Sequence, residues 1–277
     1  MLRCGRFTLF LDRPFIMGIV NITPDSFSDG GRYNSTGGAI THALHLLEQG
    51  ADMLDIGGES TRPGAEAVNA DQELRRVLPV VQELVKCGVP LSVDTSKPEV
   101  MRAAIEAGAD MINDVNALRA EGAMEAVAAS DAAVCLMHMQ GEPRSMQHQP
   151  QPRYLDVVAD VSAFLKARIA AVEQAGISRS RIVVDPGFGF GKTLEHNLEL
   201  LRHLDRFQQL GVPLLAGLSR KSMLGAITGL AVEERMVPSV AAAVIAAIKG
   251  ARIIRVHDVK ETRQALQIVS AINKKVA

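Results

Sequence analysis

The stretch KCGVPLSVDTSKPEV, from Lys86 to Val100, contains one complete unit of the pattern that decides the fold. Gly88 directly follows a helical pattern, where glycine commonly forms a left-handed helix cap. The apolar run LSVDT at 91–95 then predicts a buried strand, and SKPE at 96–99 predicts a new helix with a capping box and a proline in its first turn. The unit is therefore a helix end, a short strand and the start of the next helix.

The same unit recurs along the whole chain. The predicted strands are FIMGIVN (15–21), MLDIG (53–57), LSVDT (91–95), MINDV (111–115), AAVCLMH (132–138), RIVVD (181–185), LLAGLS (214–219) and RIIRVHD (252–258). Helical patterns lie at 37–49, 70–86, 97–107, 120–129, 155–175, 195–209, 233–249 and 259–274. Unbroken apolar runs are typical of parallel strands buried on both faces. Eight alternating units predict an α/β fold, a single (β/α)8 TIM barrel over residues 1–277, rather than a doubly wound sheet. Pro79 predicts a kink or a break in the second helix.

The composition limits the classes of protein to which the chain can belong. Its 277 residues suit one barrel domain, and 30 basic against 31 acidic residues give a net charge of -1, which offers no general attraction to nucleic acid or to a membrane surface. Cys4, Cys87 and Cys135 are odd in number and lack metal-binding spacing, so we expect a reducing, cytoplasmic compartment. The longest apolar run, at 240–248, is too short to span a membrane.

Polar side chains end all eight predicted strands. They are Asn21, Asp55 with Glu59, Asp94, Asn113 with Asp114, His138, Asp185, Ser219 to Ser222, and Arg255 with His257. Any one of them alone could be a helix cap or a turn former. In a barrel of this kind, however, the chemistry lies at the carboxyl ends of the strands, so the set of eight indicates a functional site.

The types of these side chains indicate what the site binds. Arg255 and His257 alternate on the last strand and point to the same face, which indicates a phosphate or diphosphate site. A structural salt bridge of the arginine is the alternative. Asp94, Asn113 and Asp185 surround the same cavity and suit a planar heterocycle with a guanidine-like edge. A general acid and base pair is the competing role.

Two loops and one glycine-rich turn complete the predicted pocket. Glycine pairs, prolines and hydroxyls in the loops at 21–34 and 57–67 indicate lids over the substrate. Asn21, Asp25 and Asp29 are hard oxygen ligands near the expected diphosphate, so we expect Mg2+ there.

The turn DPGFGFGKT at 185–193 has the composition of a nucleotide-binding loop but not its spacing. Pro186 takes the place of the first glycine of the phosphate-binding motif, and Lys192 takes the place of the third glycine of the dinucleotide motif. We therefore expect Asp185 to face the substrate and the glycines to bring Phe190 to the pocket. Lys192 adds at most a positive charge at the rim.

From about Phe15 to Ala271 the chain resembles the bacterial dihydropteroate synthases, pterin-binding enzymes of folate biosynthesis that sulfonamides inhibit. The motifs that carry the resemblance are MGIVNITPDSFSDGG, DIGGESTRPGA, SVDTSKPEV, INDV, LMHMQGEP, DPGFGFGKT, LSRKSMLG and RVHDVKET, in this order. In the reaction of this family, p-aminobenzoate attacks the methylene of hydroxymethyldihydropterin diphosphate and releases diphosphate. The resemblance also implies a homodimer through the last helices, where MVPS at 236–239 departs from the family pattern.

The resemblance implies a role for each site residue. The implied pterin contacts are Asp94, Asn113, Asp185 and Lys221, with Arg255 against the ring. The implied diphosphate contacts are Arg255, His257 and Asn21, and Asn21 also places magnesium. The implied p-aminobenzoate pocket consists of Phe27, Thr61, Arg62, Pro63, Phe190 and Ser222. In catalysis Arg255 and His257 stabilise the leaving diphosphate, while Asp29, Asp94 and Asp185 favour a cation on the pterin.

Other functions remain as alternatives. A pterin-binding methyltransferase barrel that uses methyltetrahydrofolate shares the pterin pocket, but it needs no diphosphate site and is expected to lack both long loops. A Schiff-base aldolase needs an inward lysine within a strand, and a metal-dependent hydrolase needs His-x-His on the first strand; neither is found in FIMGIVN or RIVVD. A non-catalytic pterin-binding paralogue is expected to have lost site residues, and none is lost.

Overall fold

A computed structural model describes residues 1–22, 34–60, 68–141 and 154–273. The strands are β1 (Leu2–Cys4), β2 (Phe7–Leu9), β3 (Phe15–Asn21), β4 (Met53–Gly57), β5 (Leu91–Asp94), β6 (Met111–Asp114), β7 (Ala133–Met137), β8 (Ile182–Asp185), β9 (Leu215–Ala216) and β10 (Ile253–Val256). The helices are α1 (Asn34–Glu48), α2 (Ala70–Leu84), α3 (Pro98–Glu106), α4 (Ala123–Ala128), α5 (Val157–Gln174), α6 (Leu194–Arg202), α7 (Ser222–Thr228), α8 (Met236–Ile248) and α9 (Val259–Asn273). None of these helices is long and apolar enough to cross a membrane.

Strands β3 to β10 form the predicted parallel barrel. Their order in the sheet is β8-β7-β6-β5-β4-β3-β10-β9, so each strand lies beside its neighbour in sequence. A parallel bridge between Val184 and Leu214 joins β8 to the chain just before β9 and closes the ring. The barrel prediction is therefore confirmed, while the assignment of residues 1–277 to a single domain stays a prediction.

The interior of the barrel changes from apolar to polar along the strands. Met17, Met53, Met111 and Ile253 belong to one buried cluster near the amino ends of their strands. Because side chains alternate between the two faces of a strand, the residues two positions later also point inward. These later residues include Asp55, Asn113 and Arg255, so the polar layer begins directly above the apolar one.

A hairpin of β1 and β2, which the sequence analysis did not predict, packs against the apolar end of the barrel. Its Leu2, Cys4 and Leu9 are buried in the same cluster as the barrel methionines. Arg6 in its turn holds the buried Asp110 with two hydrogen bonds, from Nε at 2.9 Å and from Nη2 at 2.7 Å. The hairpin therefore provides the apolar cover that closes the end of the barrel opposite the predicted site.

One local prediction about helices is wrong, and of the kink or break predicted at Pro79 the break is absent. Helix α3 has its N-cap at Lys97, which makes no side-chain capping bond, so the predicted capping box is absent. Pro98 does occupy the first turn, and a proline favours an extended conformation in the residue before it, which moves the cap to Lys97. Helix α2 continues through Pro79, because buried valines on both sides of the proline hold it against the core.

Candidate active site

The strand register brings the polar strand ends together. Asn21 pairs with Gly57, Gly57 with Asp94, and Asp94 with Asn113, so four neighbouring strands end in one row. A side chain at Gly57 would begin 3.8 Å from Oδ1 of Asn21 and 3.6 Å from Cβ of Asp94. Asp185 ends β8 on the other side of the barrel mouth. The structure thus places these predicted residues around one opening.

Arg255 is the centre of an ion-pair network in which Asp55 is fully buried and Arg255 and Asp94 are partly buried. Its Nε donates to Oδ2 of Asp55 at 2.5 Å, and its Nη2 donates to Oδ2 of Asp94 at 2.9 Å. Both carboxylates raise the pKa of the guanidinium against the opposing effect of burial. The salt bridge that the sequence analysis gave as the alternative is therefore present, and it neutralises the arginine. Whether the arginine also meets a diphosphate stays a proposal.

Asp94 is a carboxylate of the mouth whose pKa lies near neutral pH. Burial, with a smaller contribution from Asp55, raises its pKa to about 7, although Arg255 opposes the rise. An acidic side chain with such a pKa can exchange a proton at physiological pH. The geometry therefore leaves both sequence-based roles of Asp94 open, as a hydrogen-bond acceptor and as a proton carrier.

Asp185 and Lys221 form the opposite wall of the opening. Asp185 is 5% exposed and its Oδ1 accepts from the backbone N–H of Gly187 at 2.7 Å. Burial raises the pKa of Asp185, with Lys221 opposing, and burial lowers the pKa of Lys221 to about 8 despite the attraction of Asp185. The ammonium of Lys221 donates to the carbonyl of Phe188 and lies 4.7 Å from the ring centre of Phe190. This wall combines a charged pair with an aromatic face.

His257 and Ser219 connect the last two strands at the mouth. The hydroxyl of Ser219 lies 2.9 Å from Nδ1 of His257 and accepts from the backbone N–H of the same residue at 3.2 Å. Arg220, which lies within the polar strand end from Ser219 to Ser222, pairs with Asp258 at 2.5 Å. Ser222 is exposed at the first position of α7. Lys221 therefore supplies the cation of this segment.

Lys192 is a partly buried anchor of the glycine-rich turn, and its ammonium binds backbone carbonyls of that turn instead of extending as a charge at the rim. Its Nζ donates to the carbonyls of Gly187 at 2.9 Å and Phe190 at 3.0 Å, and lies 3.0 Å from Nδ1 of His138. Burial lowers its pKa to about 7. The predicted tight turn is confirmed: Gly187 has a φ of 70°, and a side chain there would begin 2.0 Å from the carbonyl oxygen of His138.

Several predicted residues lie outside the described part of the chain. They are Asp25, Phe27, Asp29, Thr61, Arg62 and Pro63. Conversely, Asp55 is a central member of the network to which the sequence analysis gave no role. Its inward position follows from alternation with Met53 on β4, so that signal was available in the sequence.

Known proteins with similar sequences and folds share one family. The family model described as pterin binding enzyme matches residues 17–257. The dihydropteroate synthase of Escherichia coli K12 is 51% identical over 265 residues, which cover 95% of this chain and 93% of that protein.

Two solved structures of dihydropteroate synthase from Xanthomonas albilineans have the same fold. One, with 4-aminobenzoic acid, is 56% identical with a TM-score of 0.91 and covers 96% of both chains. The other, in complex with 7,8-dihydropteroate, is 50% identical with a TM-score of 0.85 and also covers 96% of both chains. The chain therefore belongs to the dihydropteroate synthase family of pterin-binding enzymes.

Proposed function

We propose that the protein condenses p-aminobenzoate with hydroxymethyldihydropterin diphosphate, giving 7,8-dihydropteroate and diphosphate. The observation that carries this proposal is the arrangement of the buried Asn113 and Asp185 and the partly buried Asp94 around one opening, with Lys221 and Arg255 between them. Relatives of the same length and fold bind one substrate and the product of this reaction, as their names state.

The acceptor groups suit the donor edge of a pterin. A buried carboxylate such as that of Asp185 can accept two parallel N–H bonds from the guanidine-like edge of the heterocycle. Lys221, 4.7 Å from the Phe190 ring centre, can donate to the ring oxygen or nitrogen on the other side. Arg255 is held by two carboxylates and offers its flat face to the ring. The pterin therefore binds across the mouth from Asp94 to Lys221.

The chemical step replaces a carbon–oxygen bond by a carbon–nitrogen bond. Early departure of diphosphate leaves a cation spread over the dihydropterin, and the carboxylates of Asp94 and Asp185 stabilise it. Arg255 and His257 stabilise the leaving diphosphate. The arylamine nitrogen then forms the new bond and loses its proton to diphosphate or water, so the step requires no strong base. Asp29, outside the described residues, is proposed to assist the cation.

Magnesium is proposed to bind with the diphosphate. Within the described residues no three His, Cys, Asp or Glu side chains are grouped as a metal site. Magnesium, however, commonly takes one or two protein oxygens and completes its shell with phosphate oxygens and water. The amide oxygen of Asn21, at the mouth beside Asp94, suits such a site. When bound there, the ion would neutralise charge on the leaving group.

The p-aminobenzoate site is proposed at the aromatic side of the mouth. Phe190 packs with Val115, Met137 and Met139 in a small apolar cluster at the end of β7, next to Lys221. With Ser222 from α7, this cluster forms one face for a benzene ring. Phe27, Thr61, Arg62 and Pro63 are proposed to complete the pocket from the two long loops.

A homodimer through α8 and α9 is proposed as the assembly. The two helices pack on each other and expose the large apolar side chains of Val237, Ile248, Ile268 and Ile272, each more than 60% exposed. Contiguous exposed apolar surface is typical of a protein interface. Light scattering at micromolar concentration tests this assembly. A cytoplasmic location is proposed from the three unpaired cysteines.

The experiment that tests the function is an assay for diphosphate release with both substrates and magnesium. Absence of turnover by folded protein would reject the synthase proposal, and transfer of a methyl group from methyltetrahydrofolate would favour the alternative barrel. Asp185→Ala is expected to weaken pterin binding by about tenfold to a hundredfold, because it removes a buried acceptor of charge-assisted bonds. Calorimetry measures this affinity, and an unchanged value would contradict the role of Asp185.

A further inference from the structure

Asp55 holds two predicted pterin-binding residues at once. It lies on β4, is completely buried, and points into the barrel directly above Met53. Its Oδ2 accepts from Nε of Arg255 at 2.5 Å and from Nδ2 of Asn113 at 3.0 Å. The two donors come from strands on opposite sides of β4, so this one oxygen links three strands of the barrel.

The contact with Asp55 determines which atom Asn113 presents to the opening. A carboxylate can only accept, so the Asn113 atom that faces Asp55 must be the amide nitrogen. The other end of the amide, the oxygen Oδ1, is then directed away from Asp55 and is available as an acceptor. Asn113 is thereby restricted to ligands that present an N–H group at this point.

The contact also fixes the plane of the Arg255 guanidinium. Asp55 binds its Nε and Asp94 binds its Nη2, so two carboxylates from neighbouring strands hold two nitrogens of one rigid, planar group. A single partner would leave the guanidinium free to rotate about that contact. Two partners leave one orientation for its face.

The second carboxylate oxygen of Asp55, Oδ1, lowers the stability of the fold. Within the described part of the chain, Oδ1 of Asp55 is buried and has no hydrogen-bond partner. A buried polar atom without a partner reduces stability by about 1–3 kcal/mol. An apolar residue would continue the layer of Met53 without this cost, so packing alone does not explain a carboxylate here.

We propose that Asp55 is a positioning residue of the synthase, which aligns Arg255 and Asn113 for the pterin without touching the substrate itself. This inference depends on the proposed pterin-binding roles of those two residues. The proposed pterin contacts of Arg255 and Asn113 do not themselves require Asp55. The inference adds that pterin affinity needs a hydrogen-bond acceptor at position 55.

Two substitutions distinguish the effect of the hydrogen-bond acceptor at position 55 from the effect of its negative charge. Asp55→Asn keeps one oxygen that can occupy the Oδ2 position, so pterin affinity is expected to stay within about tenfold of the original. Asp55→Leu keeps the branched shape but removes the acceptor, and affinity is expected to fall by a further factor of about ten to a hundred. Calorimetry with 6-hydroxymethylpterin measures both. Equal affinities of the two variants would overturn the proposal.

A matched control lies at the other end of the barrel. Asp110 is also a buried carboxylate that binds an arginine, Arg6, and Asp110→Leu therefore makes the same chemical change far from the opening. It is expected to lower the melting temperature but to leave pterin affinity unchanged. If Asp110→Leu lowered affinity as much as Asp55→Leu, general loss of stability would explain both and the proposal would fail.

A double-mutant cycle distinguishes this proposal from the proposed site itself. Asn113→Ala alone is expected to weaken pterin binding. In that background Asp55→Leu is expected to reduce pterin affinity by a smaller factor, because one of the two side chains that Asp55 positions is already absent. Unchanged affinity of Asn113→Ala would reject the role of Asn113 rather than that of Asp55. Fully additive losses would reject Asp55 as a positioning residue. If Asp55→Leu does not fold, Asp55→Thr, which suits a strand and cannot reach both donors, takes its place with the same expectations.

Discussion

Lys192 gives the protein a pH dependence of stability that can be predicted in sign and size. Burial lowers its pKa to about 7 in the folded chain, whereas its ordinary value is 10.5. Between these values the unfolded chain carries more protons than the folded one, so the free energy of unfolding rises with pH. Each pKa unit corresponds to about 1.4 kcal/mol, which gives a rise of up to about 3 kcal/mol between pH 7 and 9.5. Below pH 7 both states are protonated and the lysine contributes no slope.

The substitution Lys192→Met isolates this contribution, because methionine fills similar space without an ionisable group. Urea unfolding at several pH values between 7 and 9.5 measures the free energy of unfolding of both proteins. Lys221, which also titrates in this range, is present in both proteins, so the difference contains the contribution of Lys192 together with its electrostatic interaction with Lys221. We expect the original chain to gain stability relative to Lys192→Met as the pH rises. A difference that stays constant over this range would refute the assignment of a lowered pKa to Lys192.

Two further predictions concern the backbone of the mouth and the closed end of the barrel. Gly187→Ala is expected to destabilise the protein by more than about 2 kcal/mol and to weaken pterin binding, because the new side chain meets the carbonyl of His138. The control is Gly88→Ala, which has the same φ of 70° but open space around it. Thermal unfolding measures both variants, and equal losses of stability would contradict the clash at Gly187. Arg6→Met is expected to cost about 1–3 kcal/mol in urea unfolding, because it leaves Asp110 buried without its cation. Its pterin affinity should not change, and a loss of affinity would show that the hairpin influences the site.

The barrel was predictable because its strands are unbroken apolar runs separated by glycine-ended helices. The hairpin of β1 and β2 was not, because three-residue strands leave too short a pattern to recognise and gain their stability from the barrel methionines beneath them. The prediction of a capping box at 96–99 was wrong for a related reason. Its local signal competes with the proline at position 98, and the sequence alone does not show which of the two determines the N-cap.

The sequence predicted that polar strand ends would meet at one opening, but it did not predict which of their charges form ion pairs. Each strand end could be read from the sequence, since the carboxyl ends of barrel strands are known to meet. Which charges neutralise each other depends on distances between strands, and these distances place Arg255 beside Asp55 and Asp94. Lys192 was misplaced for the same reason, because a lysine in a loop is usually exposed, whereas this one lies under its own turn.

The balance of charge at the mouth favours the proposed cation. Among the described residues, the carboxylates of Asp55, Asp94 and Asp185 face the cations of Arg255, Lys221 and Lys192. Burial lowers the pKa of Lys221 to about 8 and that of Lys192 to about 7, so at neutral pH the positive charge is smaller than that of three full cations and an excess of acid remains. Burial relieves this excess by raising the pKa of Asp94 to about 7, so that a proton is held there part of the time. A positive charge that develops on a bound pterin would take over the role of that proton and lower the pKa of Asp94 again. The pocket therefore stabilises the cationic state of its ligand more than the neutral one, which is the differential binding that accelerates departure of the diphosphate.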